Sequence, residues 1–300
     1  MKRFKNILYV IADDVGPEHA LARALTLAHN NQARLSVLAV LTAPPANEPV
    51  QETIARIERA LKVRLAAHHD CCALRIEVRV GALAREALRE IEQRGHDLVI
   101  NPAQPPERLE RFLGGDDRQL LRNSPCPVWL MQPRERDNYD NILLALDYDP
   151  AQPDSIDTPL NRRLLTLAGS LALSDFAALH LVHVWDAPAE LLFRVWSDAP
   201  DHSPRDYVES ERIRHRRGLE ALNMMLREIL GTEAHDYLAP RLHLPRGLAT
   251  EQVRLLAGQL DADLVVMGTA ARRGLTGLLI GNTVESILDQ PPCSVLAVRP

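Results

Sequence analysis

The sequence predicts an α/β protein made of two tandem flavodoxin/Rossmann-like domains, each a five-stranded parallel sheet with helices on both faces. Three observations predict it. Short apolar runs rich in β-branched residues alternate with amphipathic helical stretches along the chain, the pattern of parallel strands joined by right-handed crossovers. The landmarks of the first half return in the second in the same order. Finally, 300 residues with 46% hydrophobic content are enough for two cores of ordinary domain size, about 150 residues each.

In chain order, Asn6 to Ala12 is an apolar strand, and His19 to Asn30 carries Leu21, Ala24, Leu25 and Ala28 at helical spacing. Arg34 to Leu41 is the second strand. Past Pro44 and Pro45, Val50 to His69 places Ile54, Ile57, Leu61 and Leu65 on one helical face. Leu74 to Val80 alternates Ile76, Val78 and Val80 with Arg75, Glu77 and Arg79, the period of a strand with one buried face. Gly81 opens a helix from Leu83 to about Gln93. Asp97 to Ile100 is the fourth strand and Pro127 to Met131 the fifth.

The second half repeats this order. Asn6-Ile7-Leu8 returns as Asn141-Ile142-Leu143. Gly81 precedes Asp97-Leu98-Val99 by sixteen positions, as Gly247 precedes Asp263-Leu264-Val265, and Pro125-Cys126-Pro127-Val128 returns as Pro292-Cys293-Ser294-Val295. Landmarks recurring in order at matched spacing indicate a duplication. The domains are therefore set at 1–135 and 138–300, joined by a linker around Pro133 to Asp140 that is charged and lacks apolar periodicity. Pro127 to Met131 and Val295 to Val298 would be aggregation-prone edges if left bare, so they are expected to pair with each other. Extra length in the second half lies between Trp185 and Tyr237: Asp186 to Asp206, rich in Pro, Asp, Trp and Phe, then a long helix to Leu230. The first part reads as an Ω-like loop packed over the domain, or as a lid or interaction surface.

Composition excludes several functions. A net charge of -5 gives no electrostatic footprint for nucleic acid. No apolar stretch approaches the roughly 20 residues of a membrane span. Met1 to Lys5 is basic but runs straight into a strand, unlike a signal peptide. Four cysteines make no disulfide framework in a chain of this length, so a reduced, cytoplasmic setting is expected. His68-His69-Asp70-Cys71-Cys72 contains ligand-type residues, but neighbours in sequence diverge and no second cluster completes a tetrahedral shell, so no metal is expected. There is no Gly-x-Ser-x-Gly elbow and no base beside the glycine-rich loop.

That loop lies in Leu264 to Val284. Leu264-Val265-Val266-Met267 is a strand, Gly268 ends it, Arg272, Arg273, Gly274 and Gly277 occupy the loop, and Gly281-Asn282-Thr283 precedes a helical pattern. Small residues at a strand-loop-helix junction let main-chain N–H groups and the helix dipole meet an anion, phosphate above all. The same glycines also suit a plain connection, and their spacing is neither GxxxxGK[ST] nor GxGxxG.

The spacing resembles the Gly-x2-Gly-x9-Gly-[Ser/Thr] motif of ATP-binding universal stress proteins: Gly268 and Gly281 stand thirteen apart, as it requires. Ala271 replaces the second glycine, and Asn282 the hydroxyl residue, with Thr283 one place later. The closing Pro292 to Val298 is also similar to this family, and with the duplication the resemblance covers nearly the whole chain. It implies a strand order of 3-2-1-4-5 in each domain and pairing of the two domains through their last strands as an internal pseudo-dimer. It further implies ATP or a related adenine nucleotide as ligand, with Asp147 and Val184 at the nucleoside and Met267, Gly268, Ala271, Gly281, Asn282 and Thr283 at the phosphates. Matched positions in the first half carry Ala12 and Pro102, so nucleotide is expected only in the second.

Three functions follow as alternatives. The first is a cytoplasmic stress-response regulator binding adenine nucleotide and not a catalyst, with any ATP hydrolysis slow and incidental. The second is a module binding an apolar or lipid-like small molecule, or a scaffold acting through protein contacts. The third is an adenine-nucleotide hydrolase, against which the missing base counts. A homodimer is a further expected partner state; nucleic acid is not.

Overall fold

The structure is a computed structural model and describes residues 4–13, 16–43, 47–66, 72–102, 115–132, 135–190, 204–269, 287 and 293–300. Strands β1 (Asn6–Ala12), β2 (Arg34–Leu41), β3 (Leu74–Val80), β4 (Leu98–Pro102) and β5 (Val128–Met131) alternate with helices α1 (Glu18–Asn31), α2 (Val50–Leu65), α3 (Leu83–Arg94) and α4 (Gly115–Asn123). The second repeat contributes β6 (Asn141–Ala145), α5 (Pro159–Asp175), β7 (Ala178–Val182), α6 (Pro204–Leu230), α7 (Thr232–Leu238), β8 (Arg241–His243), α8 (Ala249–Gln259), β9 (Leu264–Gly268) and β10 (Ser294–Val298). The chain forms two compact units, Met1–Tyr139 with Thr269–Pro300, and Asp140–Gly268.

In the first unit the strands lie in the order β3-β2-β1-β4-β5-β10, parallel except that β10 runs antiparallel to β5. The expected pairing of the two closing strands is therefore present, with Val295, Leu296 and Ala297 opposite Leu130, Trp129 and Val128. In the second unit the order is β9-β6-β7-β8, all parallel. Central strands β1, β4 and β9 are almost wholly buried, as is the middle of β6, which explains their runs of consecutive apolar residues.

The repeated Asp-Leu-Val landmark has a physical role in each unit. Asp97 accepts hydrogen bonds from the main-chain N–H groups of Lys5 (2.7 Å) and Asn6 (3.1 Å), and Asp263 accepts from Asp140 (2.7 Å) and Asn141 (3.0 Å). Each carboxylate fixes the start of the first strand of its repeat. Gly81 and Gly247 match likewise: they adopt φ of 157° and 138°, the first nearly extended and the second well inside the glycine-favouring region. They donate to the carbonyls of Leu41 (3.0 Å) and Trp185 (2.9 Å).

The linker, charged in sequence, is packed at its described residues: Glu135 and Tyr139 are 6% and 1% exposed. Tyr139 lies under the guanidinium of the fully buried Arg23, 4.2 Å from the ring centre, and Arg23 Nη1 donates to the Asp137 carbonyl at 2.8 Å. Glu135 accepts from Ser294 Oγ and from the Gln132 N–H, while burial pushes its carboxyl pKa up against those bonds. Two sequence expectations need correction. First, β3 does not alternate between buried and exposed; it is half-buried throughout apart from the exposed Val80. Its charged face is covered, because Arg79 pairs with Glu77 on the strand and with Glu86 and Glu90 of α3. Second, the fourth strand runs from Leu98 on to Pro102; of the helix expected over Val50 to His69, Val50–Leu65 is helical and 67–69 lie outside the described residues. The His68 to Cys71 part of the candidate ligand cluster and most of the Asp186 to Asp206 segment lie outside the described residues.

Candidate functional site

The parallel strands of the second unit end together at one edge, and four of the expected site residues stand there. Ala145 of β6 is level with Met267 of β9 and with Val182 of β7, so Asp147 and Val184 each lie two residues beyond a paired position and Gly268 one. Asp147 is exposed, Val184 and Gly268 are half-buried, and Met267 is buried. Gly268 has Leu160 of α5 against it, so that a Cβ added there would lie 2.9 Å from Leu160 Cδ2. Ala271, Gly281, Asn282 and Thr283 lie outside the described residues.

Strand register relates the two halves position by position. Val10 faces Leu38 as Ala145 faces Val182, and Ile7 faces Leu98 as Ile142 faces Leu264. Ala12 thus corresponds to Asp147, Val40 to Val184, and Pro102 to Gly268. From that common point the halves differ. In the first, the β1–β2 ladder continues to Ala12 opposite Val40, and the Asp13 N–H then donates to the Val40 carbonyl at 2.9 Å. In the second, the β6–β7 ladder stops at Ala145 opposite Val182, followed by a bond from the Leu146 N–H to the Val182 carbonyl at 2.9 Å. The chain after β7 stays with β8 instead: His183 N–H donates to His243 O (3.1 Å), and Trp185 N–H to Pro245 O (3.2 Å). Strands β6 and β7 therefore part where Asp147 and Val184 stand.

A buried polar group fills the helix side of this fork. His183, fully buried, has Nδ1 3.1 Å from the Leu146 carbonyl and Nε2 2.8 Å from Nδ1 of His215 on α6. Tyr148 stacks on His183 with ring centres 3.8 Å apart, and its hydroxyl donates to the His215 carbonyl. Gly218, one turn of α6 further on, makes room for it: a Cβ there would fall 2.3 Å from Tyr148 Cε2. Asn161 of α5 holds the outer loop, its Nδ2 lying 3.3, 3.3 and 3.0 Å from the carbonyls of Asp147, Ser155 and Ile156.

On the other face of β7, His180 Nδ1 and His243 Nε2 are 2.9 Å apart. Burial, reinforced by His243 and Arg241, pushes the His180 pKa down to about 4, and burial together with Arg241 lowers that of His243. At the rim, Arg246 lies over the Trp185 ring at 5.6 Å and pairs with Glu190 and Asp186. None of these histidines was legible as a site group from sequence. Only the odd-even placement of His180 and His183 on an apolar strand hinted that both are held by polar partners. Among the described residues no group of three or more His, Cys, Asp or Glu is arranged to hold a metal ion, and no helix is long and apolar enough to cross a membrane.

A repeated, mostly parallel sheet with helices defines a tandem α/β protein, a class in which ligand sites lie at the carboxyl ends of the strands. The model of the universal stress protein family matches residues 3–132 and again 138–299, and the chain belongs to that family. It is 25% identical to Universal stress protein E of Escherichia coli K12, covering all of this chain and 95% of that one. It is 26% identical to the Universal stress protein E homolog of Haemophilus influenzae, covering 99% and 98%. A crystal structure of a functionally unknown protein from Pseudomonas aeruginosa PAO1 superposes with a TM-score of 0.73 at 24% identity, covering 100% of this chain and 94% of the other. A universal stress protein from Archaeoglobus fulgidus gives 0.62 at 14% identity, covering 97% and 98%.

Proposed function

We propose that the protein is a cytoplasmic stress-response regulator that binds ATP or a related adenine nucleotide in its second repeat, through the cleft at the ends of β6, β7 and β9. The observation that carries this reading is the fork between β6 and β7, which opens beside an exposed carboxylate at Asp147 and a half-buried apolar side chain at Val184. A nucleoside has matching needs: its hydroxyl and amino groups donate to a carboxylate, and its base wants an apolar wall. The first repeat has its ladder closed at the same place, with Ala12 for the carboxylate and Pro102 in the position of Gly268. The role is regulatory and not catalytic.

Leu160 packed on Gly268 favours a second reading, in which the cleft takes an apolar small molecule. Calorimetric titration with ATP separates the two. One site per chain is expected, with affinity falling ten- to a hundredfold in Asp147→Ala as a charge-assisted hydrogen bond is lost. A stoichiometry near two would overturn the asymmetry between repeats, and absence of binding by the folded wild type would favour the apolar ligand.

A further inference from the structure

We infer that His183 and His215 act as positioning residues for the fork, holding Asp147 and Val184 in register across the point where the β6–β7 ladder ends. This rests on the nucleotide reading for its consequence in binding, while its structural half can be tested without a ligand.

In a parallel ladder the bond after Leu146 N–H to Val182 O would run from the main chain of Val184 back to the Leu146 carbonyl. Here the His183 imidazole takes that carbonyl instead, from Nδ1 at 3.1 Å. A side chain of β7 thus spans the gap that its own main chain leaves by following β8. The residue following each partner is a proposed nucleoside contact: Asp147 follows Leu146 and Val184 follows His183. One side-chain bond therefore sets the spacing of the two.

The partners fix the tautomers. Leu146 O can only accept, so Nδ1 of His183 carries the proton; in the neutral pair Nε2 of His183 then accepts, and Nδ1 of His215 donates to it at 2.8 Å. His215 in turn is fastened by its carbonyl to the Tyr148 hydroxyl, and Tyr148 lies flat on His183. The path runs from Leu146 through His183, His215 and Tyr148 to Asp147 and back to Leu146, a closed loop of contacts around the strand end. Buried polar groups joined in this way specify one arrangement, because any other leaves a donor or acceptor unpaired in the interior. The first repeat lacks all of it: Ala39 corresponds to His183 and Asp13 to Tyr148, and its ladder needs no bridge.

The test uses the full chain with three variants. His215→Leu keeps the main-chain carbonyl for Tyr148 and removes the donor to His183. His215→Asn restores a donor, since its Nδ2 occupies the place of the imidazole Nδ1. Asp147→Ala supplies the background for a double-mutant cycle. Amide hydrogen exchange at 146–148 is expected to rise about tenfold in His215→Leu, as one buried bond is lost, and to return in His215→Asn, with the core of β1 and β4 unchanged. ATP affinity is expected to fall about tenfold in His215→Leu, to recover in His215→Asn, and to fall no further in His215→Leu with Asp147→Ala. Exchange at 146–148 unchanged by His215→Leu would overturn the inference. So would an equal loss of affinity with and without Asp147, which would mean general loosening. If the wild type binds no ATP, the nucleotide reading fails, and the exchange measurement alone decides whether the histidine pair holds the fork.

Discussion

Asp97 and Asp263 do the same thing in the two repeats, each taking two main-chain N–H groups at the start of a first strand. Asp13 and Tyr148, equally matched in position, do opposite things at the other end. The Asp13 carboxylate turns back onto β2 and accepts from the N–H and hydroxyl of Thr42, at 2.6 and 2.5 Å, sealing the end of the ladder. The Tyr148 ring turns away toward α6 and lies on His183, and the ladder opens. After duplication the strand starts, which set the register of the sheet, kept one solution. The carboxyl ends, where ligands meet such sheets, took two.

The sharpest way to break this difference is Gly218→Ala. Its Cβ would sit 2.3 Å from a ring atom of Tyr148, and neither the ring, stacked on a fully buried histidine, nor the helix has room to give. A net loss of about 3 kcal/mol is expected despite the helix propensity gained, read as a lower urea midpoint at unchanged slope. In the first repeat, Asp13→Ala removes both bonds to Thr42 and leaves an alanine at φ 56°. About 2 kcal/mol should be lost, and Asp13→Gly should recover roughly half of it, because only the backbone share is then relieved. Equal losses for the two variants would show that the conformation contributes nothing.

The smallest effect depends on pH and comes from His180, which stands where the first repeat has Ser36. A histidine whose folded pKa is depressed from 6.5 to about 4 binds fewer protons folded than unfolded in that window. Its contribution is thus whole above pH 6.5 and is lost as the pH falls toward 4. The slope should amount to between about 1 and 2 kcal/mol across the window, allowing for solvent near His243. His180→Ser should remove that share and leave the parts due to His243 and His96, whose pKa values burial also lowers, as followed by urea unfolding at pH 4.5 and pH 7.5.

The framework was legible because its signals are local. Periodicity places β1, α1 and α3, and the Gly81 and Asp97 landmarks recur because each makes the same main-chain bonds in its repeat. Asp147 and Gly268 were legible through spacing and position in a repeat. The polar group behind them was not: His183 and His215 are separated by 32 positions and meet only because α6 folds back over the sheet. Gly218 within a helical pattern gave no sign that an aromatic ring lies against it. The burial of Glu135 and Tyr139 was equally illegible, since it depends on the buried guanidinium of Arg23, more than a hundred positions away.

The antiparallel match of β5 and β10 bears on how the protein is made. Ser294 follows Met131 by 163 positions, so at about 5–20 residues per second the ribosome completes the partner strand roughly 10–30 s after β5 has emerged. During that interval Trp129 and its neighbours form an open strand edge, which any nascent copy on the same messenger could engage. The buried Arg23 and Tyr139 gain weight in this light: both are synthesised before the interval or at its beginning, and they can gather the segment after β5 onto α1 while the edge waits for β10.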